Sequence, residues 1–168
     1  MMKYSVFICL MAVILFSACQ EDDSITTETS VEGQWELQGF RSNWIDDMIS
    51  VDEMDYSDSY TFRADGSFTK FNSVLGSELS GTFEEIIPAA EVNVNYIKRL
   101  KLSFNPEDLE EVLETDEAGN LHGWNQEHQF SVFYGQSNIE ELILLADGTL
   151  ANAGYRIADG SIYIYKRM

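Results

Sequence analysis

Three copies of the tripeptide Ala-Asp-Gly constrain the fold of this chain more than any other feature. They occupy Ala64–Gly66, Ala146–Gly148 and Ala158–Gly160, each between runs in which apolar and polar residues alternate. Asp-Gly in this setting favours a tight β-hairpin turn, because both residues tolerate the positive φ that two-residue turns require. The sequence therefore predicts an antiparallel sheet in which most neighbouring strands also follow each other along the chain.

The alternating runs give the positions of eight or nine short strands. In the run that ends at Phe104, for example, Leu100 and Leu102 share a face with Phe104, which is the period of a half-buried strand. The predicted strands cover residues 31–40, 59–63, 67–71, 79–86, 95–104, 129–134, 138–145, 150–157 and 161–167.

Two longer connections are predicted to contain short helices. In residues 41–58, four apolar residues have the spacing of one helical face: Trp44, Ile45, Met48 and Ile49. In the second connection, Asn105 is a suitable N-cap and Pro106 a suitable first helical residue, and acidic residues follow in the first turn.

The charge of the chain excludes one class of partner. The 168 residues contain 29 acidic and 10 basic side chains, which gives a net charge of -19. Such a surface repels phosphate backbones, so we expect no nucleic-acid binding. The regularly spaced aromatic and β-branched residues argue against disorder, and the charge is typical of a solvated exterior.

The N-terminal segment has the features of an export signal. Lys3 precedes an unbroken apolar run over residues 6–16. As a helix, that run would span roughly 16 Å, which is too short for a hydrocarbon core of about 30 Å. Residues 1–18 are therefore predicted to be a signal peptide.

The residues Phe16-Ser17-Ala18-Cys19 resemble a bacterial lipobox, which implies that Cys19 is lipidated and anchors the protein to a bilayer. Cys9 would be removed with the signal, so Cys19 would have no disulfide partner. An ordinary signal peptide that contains a cysteine by chance is the alternative. The segment Gln20-Glu21-Asp22-Asp23 is similar to the acidic tails that direct lipoproteins of the Bacteroidetes to the outer surface. Residues 19–31 are predicted to be a tether. We expect the lipid to anchor the protein to the bacterial outer membrane, with periplasmic or cell-surface orientation left open.

Motifs of catalytic or metal chemistry are scarce. His122 and His128 are the only histidines, and we interpret them as solvated loop residues rather than as metal ligands. The acidic run Asp46, Asp47, Asp52, Glu53, Asp55 and Asp58 lacks the spacing of a calcium loop and is predicted to be solvated. Neighbouring acids such as Glu140 and Glu141 alternate between strand faces. We expect no enzyme activity, no cofactor and no metal site.

The strand pattern is similar to that of the lipocalin-like domain of small lipoproteins. The similarity is carried by Gly33-Gln34-Trp35, by Phe62–Phe68 and by Ile162–Arg167, and it covers residues 32–168. It implies an all-β fold: an up-and-down meander closed into a barrel of about eight strands, with one or two short helices in loops. It also implies that Trp35 closes the barrel floor and that Arg167 packs across it in a cation–π contact.

Two functions follow from a lipocalin-like barrel. In the first, the barrel binds a small apolar or amphipathic ligand, and Trp44 and Met48 belong to a lid loop. The predicted lining is Tyr60, Phe62, Phe68, Phe83, Leu102 and Phe130. In the second, the barrel is filled with side chains, and its outer surface contacts a protein or a glycan through Trp44, Met48, Met54 and Tyr56.

Overall fold

A computed structural model describes residues 30–41, 47–86, 96–115, 117, 121–122, 124–125, 130–131, 138–152 and 161–168. These residues form a closed antiparallel barrel of eight strands with one additional strand at its edge. The predicted all-β fold class is therefore confirmed. The predicted signal peptide and tether, including Cys19, lie outside the described residues, except that the tether's last two residues, 30 and 31, are described.

Thirteen strands are described. They are β1 (Gly33–Arg41), β2 (Met48–Ser50), β3 (Asp58–Phe62), β4 (Ser67–Asn72), β5 (Ser77–Ile86), β6 (Tyr96–Phe104), β7 (Glu114–Thr115), β8 (Leu121–His122), β9 (Trp124–Asn125), β10 (Phe130–Ser131), β11 (Ile139–Leu145), β12 (Leu150–Asn152) and β13 (Ile162–Arg167). A 3₁₀ turn covers Val51–Glu53, and the helix α1 covers Pro106–Val112.

The barrel is an up-and-down meander. Its strands are hydrogen-bonded in the order β1, β3, β4, β5, β6, β11, β12 and β13, and the pairing of β13 with β1 closes the ring. Trp35 lies opposite Arg167 in that closing pair. In the chain segment that connects β6 to β11, the pairs β7–β8 and β9–β10 form two separate two-stranded sheets.

The helix predicted in the first long connection is wrong for the residues that are described. Met48 and Ile49 belong to β2, which pairs with the end of β1, with Ile49 opposite Phe40. This pairing brings the Ile49 carbonyl oxygen against β1 at Gly39, where an added Cβ would lie 2.1 Å from that oxygen. Glycine at this position therefore permits β2 to extend the sheet. Trp44 and Ile45 lie outside the described residues.

The second predicted helix is present as α1, with Asn105 at its N-cap position. The Asn105 side chain makes no capping bond and donates to Ser80 Oγ of β5 instead. Asp108 fixes the helix against the same strand, because its Oδ2 accepts from both the amide and the hydroxyl of Ser80 at 2.7 Å. Leu109 supplies the buried side of the helix.

Trp35 and Arg167 form the predicted contact at one end of the barrel. The guanidinium carbon of Arg167 lies 5.6 Å from the centre of the Trp35 ring, and the indole Nε1 donates to the Val31 carbonyl at 2.8 Å. The Arg167 guanidinium also donates to the carbonyls of Ser30 and Glu32. Gly33 leaves space for Arg167, since an added Cβ would lie 3.4 Å from its Nε.

The two ends of the barrel can be told apart by their turns. At the turn end, Arg63–Gly66 joins β3 to β4 and Ala146–Gly148 joins β11 to β12. Here Asp65 and Asp147 accept bonds from the residues two positions later, as is typical of Asx turns. The opposite end, which we call the rim end, contains the starts of β3 and β13 and the connection between β4 and β5.

Candidate functional site

The inward positions of several strands change from apolar to polar between the turn end and the rim end. Buried residues alternate along these strands, so every second side chain faces the interior. The inward series are Phe62–Tyr60–Asp58 on β3, Phe68–Lys70–Asn72 on β4 and Leu144–Leu142–Glu140 on β11. The interior therefore has two parts. We call them the turn-end core (Trp35, Phe62, Phe68, Leu100, Leu144 and Leu150) and the polar layer (Asp58, Tyr60, Lys70, Asn72, Glu140, Asn152 and Tyr165).

An ion triad lies at the centre of the polar layer. Lys70 Nζ is 2.9 Å from Glu140 Oε1 and 4.0 Å from Asp58 Oδ2, and all three side chains are fully buried. The same ammonium lies 5.0 Å from the centre of the Tyr60 ring, a cation–π distance. With all three groups ionised, two negative charges and one positive charge are enclosed in the barrel.

Polar side chains from four strands surround the triad. The Tyr60 hydroxyl donates to Glu140 Oε2 at 2.8 Å, and Asn152 Nδ2 donates to the Tyr60 hydroxyl at 3.4 Å. The Tyr165 hydroxyl donates to Asp58 Oδ2 at 3.3 Å. Glu140 therefore has two short contacts, whereas Asp58 has one long hydrogen bond and one distant ammonium.

Two atoms of the layer have no hydrogen-bond partner among the described residues. They are Asp58 Oδ1, an acceptor, and Asn72 Nδ2, a donor. Asp58 and Asn72 lie opposite each other in the β3–β4 pair. The orientation of the Asn72 amide is fixed from its other side, since its Oδ1 accepts from the Val74 amide at 2.9 Å. The layer thus presents an unsatisfied acceptor beside an unsatisfied donor.

Burial dominates the electrostatics of Asp58. It raises the pKa of the carboxyl from 3.8 to about 6 by disfavouring the charged form. Lys70 opposes this increase, and Glu140 adds to it. Asn72 lies close enough to lower the pKa of Asp58 somewhat without reaching hydrogen-bond geometry. The Asp58 charge therefore changes in a mildly acidic range.

Burial also raises the pKa of the layer's tyrosines. The pKa values of Tyr60 and Tyr165 lie well above 10, first because both rings are buried and second because carboxylates are near. The pKa of Tyr56 is raised by burial, by Tyr163 and by Asp58. All three hydroxyls remain protonated at neutral pH, so they can donate hydrogen bonds.

Half-buried apolar residues lie beyond the polar layer, at the rim end. They precede β3, connect β4 to β5, or begin β13, and they pack against the buried core while remaining partly exposed. We call them the apolar rim, and its members are Val51, Met54, Tyr56, Val74, Leu75 and Tyr163. From this end, the barrel offers apolar surface first and polar groups beneath it.

The structure places most of the predicted lining in packed positions. Tyr60, Phe62, Phe68 and Leu102 face inward and are 0–2 % exposed, and Phe83 is partly buried against them. Ring centres in this region are 4.9–6.1 Å apart. Such packing leaves no space beside these four residues for a ligand. Phe130 is in β10, but its side chain lies outside the described residues.

The predicted lid and surface patch are described in part. Met48 is 42 % exposed, and Met54 and Tyr56 are members of the apolar rim. Trp44 and His128 lie outside the described residues, as does the side chain of His122.

Sequence reasoning missed the polar layer. The prediction that Asp58 is solvated is wrong, because Asp58 is 1 % exposed, although Asp47, Asp52, Glu53 and Asp55 are exposed as predicted. Asp58 begins β3, where the alternation that buries Tyr60 also directs its carboxylate inward. Alternation likewise separates Glu140 from Glu141, but Glu140 then meets Lys70 from another strand. A polar residue at an inward position was the available signal.

The outer face of the same sheet carries exposed ion pairs. Lys98 pairs with Glu85 at 2.6 Å, Lys101 pairs with Glu84 at 3.0 Å, and Arg99 pairs with Glu141. Their side chains are 23–64 % exposed, so we expect each pair to contribute little to stability.

The described residues contain neither a grouped set of metal ligands nor a membrane-spanning helix, and the chain matches no known family. Within the described ranges, no three His, Cys, Asp or Glu side chains are grouped to hold a metal ion. No helix in the same part of the chain is long and apolar enough to cross a membrane. Comparison with protein-family models, with curated proteins and with solved structures gives no match.

Proposed function

We propose that the protein is a membrane-anchored, lipocalin-like lipoprotein that binds a small amphipathic ligand at the rim end of its barrel. The observation that carries the proposal is the order of the interior from that end: half-buried apolar residues first, and beneath them buried polar groups with unsatisfied hydrogen bonds. An amphipathic molecule has the matching order. Its apolar part would contact the rim, and its polar part would point into the barrel.

Because the turn-end core is packed, the ligand can bind only in the part of the barrel near the rim end. Phe62, Phe68 and Leu102, which the sequence suggested as lining, fill the interior around themselves. The proposed ligand therefore contacts rim residues such as Tyr56 and Leu75 instead. This part of the proposal replaces the apolar lining that alternation alone suggested.

A neutral hydrophobic dye tests the ligand site. We expect Nile red to bind the full chain carrying Cys19→Ser, which has no acyl chain that could itself take up the dye, and amphipathic molecules to displace it. Leu75→Asp places a charge in the apolar rim and should weaken dye binding at least tenfold. Met48→Asp also replaces an apolar side chain by a charged one, but at an exposed position in β2, and should have little effect. Equal loss in both variants, or no dye binding, would count against a rim site.

Three features of the N-terminal sequence support the proposed lipid anchor: Lys3, the short apolar run over residues 6–16 and Cys19. We expect an alkyne-labelled fatty acid, supplied to a bacterial host that makes the protein, to label the wild-type chain. Cys19→Ser should abolish the label and release the protein from the membrane fraction. Persistent membrane association of the unlabelled variant would contradict lipid anchoring through Cys19.

The filled turn-end core also favours a second function, in which the outer surface binds a protein or a glycan. Exposed Met48 would then be part of the contact, together with Trp44. The same two variants separate the functions, because Met48→Asp would remove binding to a partner and Leu75→Asp would leave it largely unchanged.

A further inference from the structure

From the unsatisfied atoms of the polar layer, we infer that the ligand's head group is an amino alcohol: a protonated amine beside a hydroxyl group. This inference rests on the proposed function and adds the chemical class of the ligand. Asp58 Oδ1 would accept from the ammonium group, and Asn72 Nδ2 would donate to the hydroxyl oxygen.

The charge of the layer favours a cation. Asp58 and Glu140 supply two carboxylates, and Lys70 is the basic group among the described residues that lies within ion-pair distance of both. Lys70 Nζ lies 2.9 Å from the Glu140 carboxylate but 4.0 Å from the Asp58 carboxylate. The charge of Asp58 is therefore the less well compensated of the two. An ammonium group at Asp58 Oδ1 would compensate this carboxylate, whereas an anionic head group would be repelled by it.

The hydrogen-bonding pattern favours an adjacent oxygen. An ammonium group has donors alone, so it cannot satisfy the Asn72 amide, which is itself a donor at Nδ2. The Val74 amide holds Asn72 Oδ1, and this contact prevents the side chain from turning its oxygen toward the ligand. A head group with one donor and one neighbouring acceptor therefore matches Asp58 and Asn72 together.

The rim must move for the ligand to reach these atoms. Asp58 and Asn72 are each 1 % exposed, and rim side chains such as Tyr56 and Val74 lie in the connections next to them. Because these rim residues are themselves partly exposed, they can move aside without opening the turn-end core. Binding thus selects a form of the protein in which the rim is open.

Four ten-carbon probes separate the parts of the inference: 2-amino-1-decanol, decylamine, 1-decanol and decanoate. We expect their affinities for the full chain carrying Cys19→Ser, measured by native mass spectrometry and Nile red displacement, to fall in that order. The amino alcohol should bind at least tenfold more tightly than decanol, and decanoate should bind most weakly.

Asp58→Asn removes the carboxylate with almost no change in shape, so it should reduce amino-alcohol affinity at least tenfold and leave decanol affinity unchanged. Asp55→Asn, an equal change in net charge at an exposed position, should alter neither affinity.

Should Asp58→Asn fail to fold, the pH dependence of ligand binding to the protein with Asp58 intact tests the same contact. The described groups that face Asp58 are Lys70, Asn72, Glu140, Tyr56, Tyr60 and Tyr165. Amino-alcohol affinity should fall about tenfold from pH 7.5 to pH 5 as the carboxyl is protonated.

The outcomes distinguish this inference from the proposed function. If decanoate or decanol binds as tightly as the amino alcohol, or if affinity depends on neither Asp58 nor pH, the amino-alcohol head group is wrong and the amphipathic-ligand function stands. If decylamine equals the amino alcohol, the contact with Asn72 is wrong. Failure of all four probes to bind overturns the inference and the proposed function together.

Discussion

The turn-end core and the polar layer belong to the same strands but are built from opposite chemistry. Phe62 and Phe68 fill one part of β3 and β4, and Asp58 and Lys70 fill the next part of the same two strands. In the turn-end core, apolar side chains alone fill the space between these strands. Apolar residues can often replace a buried ion pair without loss of stability, so the stability of the barrel does not by itself explain the polar layer. In the proposed function, the turn-end core holds the barrel together and the polar layer binds the ligand.

Trp35→Ala tests the structural half of this comparison and should have the largest effect. The ring is 2 % exposed, packs against Arg167 and donates through Nε1. We expect a loss of about 5 kcal/mol in the free energy of unfolding, measured by urea denaturation. Phe71→Ala, on the outer face and 37 % exposed, is the matched control and should cost about 1 kcal/mol or less. Equal losses would show that Trp35 does not close the barrel.

Lys70→Met tests whether the buried carboxylates of the polar layer depend on the Lys70 ammonium. The substitution removes the ammonium that pairs with the buried carboxylates of Asp58 and Glu140, which should lower the free energy of unfolding by about 3–4 kcal/mol. Lys101→Met removes an exposed lysine that pairs with Glu84 and should cost at most about 1 kcal/mol. Two similar values would mean that the enclosed charges do not depend on Lys70.

The pH dependence of stability isolates Asp58. The folded state raises the pKa of this carboxyl from 3.8 to about 6, so the folded protein binds the proton more tightly than the unfolded chain. The contribution is therefore greatest below pH 4 and is lost as the pH rises through about 6, a change of about 3 kcal/mol. Urea denaturation at pH 4 and pH 7 measures it. Asp58→Asn should remove this dependence, and Asp55→Asn should retain it; an unaltered profile in Asp58→Asn would refute the assignment.

Glu140 and Glu141 give the smallest effects and the closest comparison, because they are adjacent residues of one type on opposite faces of β11. Glu140→Gln weakens contacts with Lys70 and Tyr60 and should cost about 2 kcal/mol. Glu141→Gln removes an exposed pair with Arg99 and should cost less than about 1 kcal/mol. A reversed order, measured by thermal unfolding, would mean that the outer face rather than the layer carries the important ion pair.

The strands and hairpins can be predicted from the sequence because their signals are local, whereas the closure of the meander into a barrel is implied by the resemblance to lipocalin-like domains. Alternation located β3, β4, β5, β6 and β13, and the turns Arg63–Gly66 and Ala146–Gly148 fixed the hairpins between neighbours. Asn105 and Pro106 likewise located α1. The prediction of a helix is wrong at Met48 and Ile49 because their apolar spacing suits a helix, whereas pairing with Phe40 and Arg41 makes them part of a strand.

The polar layer could not be predicted in the same way, because its contacts are not local. Lys70 and Glu140 are 70 positions apart, and Tyr165 and Asp58 are 107 positions apart. Only closure of the barrel brings these strands face to face. Alternation could have placed Lys70 inside, two residues after Phe68, but the partner that accepts its charge depends on the stagger between strands.

The titration of the Asp58 carboxyl tests the role of the polar layer most directly. In ¹³C NMR of the full chain carrying Cys19→Ser, we predict that this carboxyl titrates with a pKa of about 6 without ligand. Saturation with 2-amino-1-decanol should lower that pKa by about one unit or more, because the bound ammonium stabilises the carboxylate. A pKa near 3.8 in the free protein, or the same pKa with and without the amino alcohol, would contradict a ligand site at Asp58.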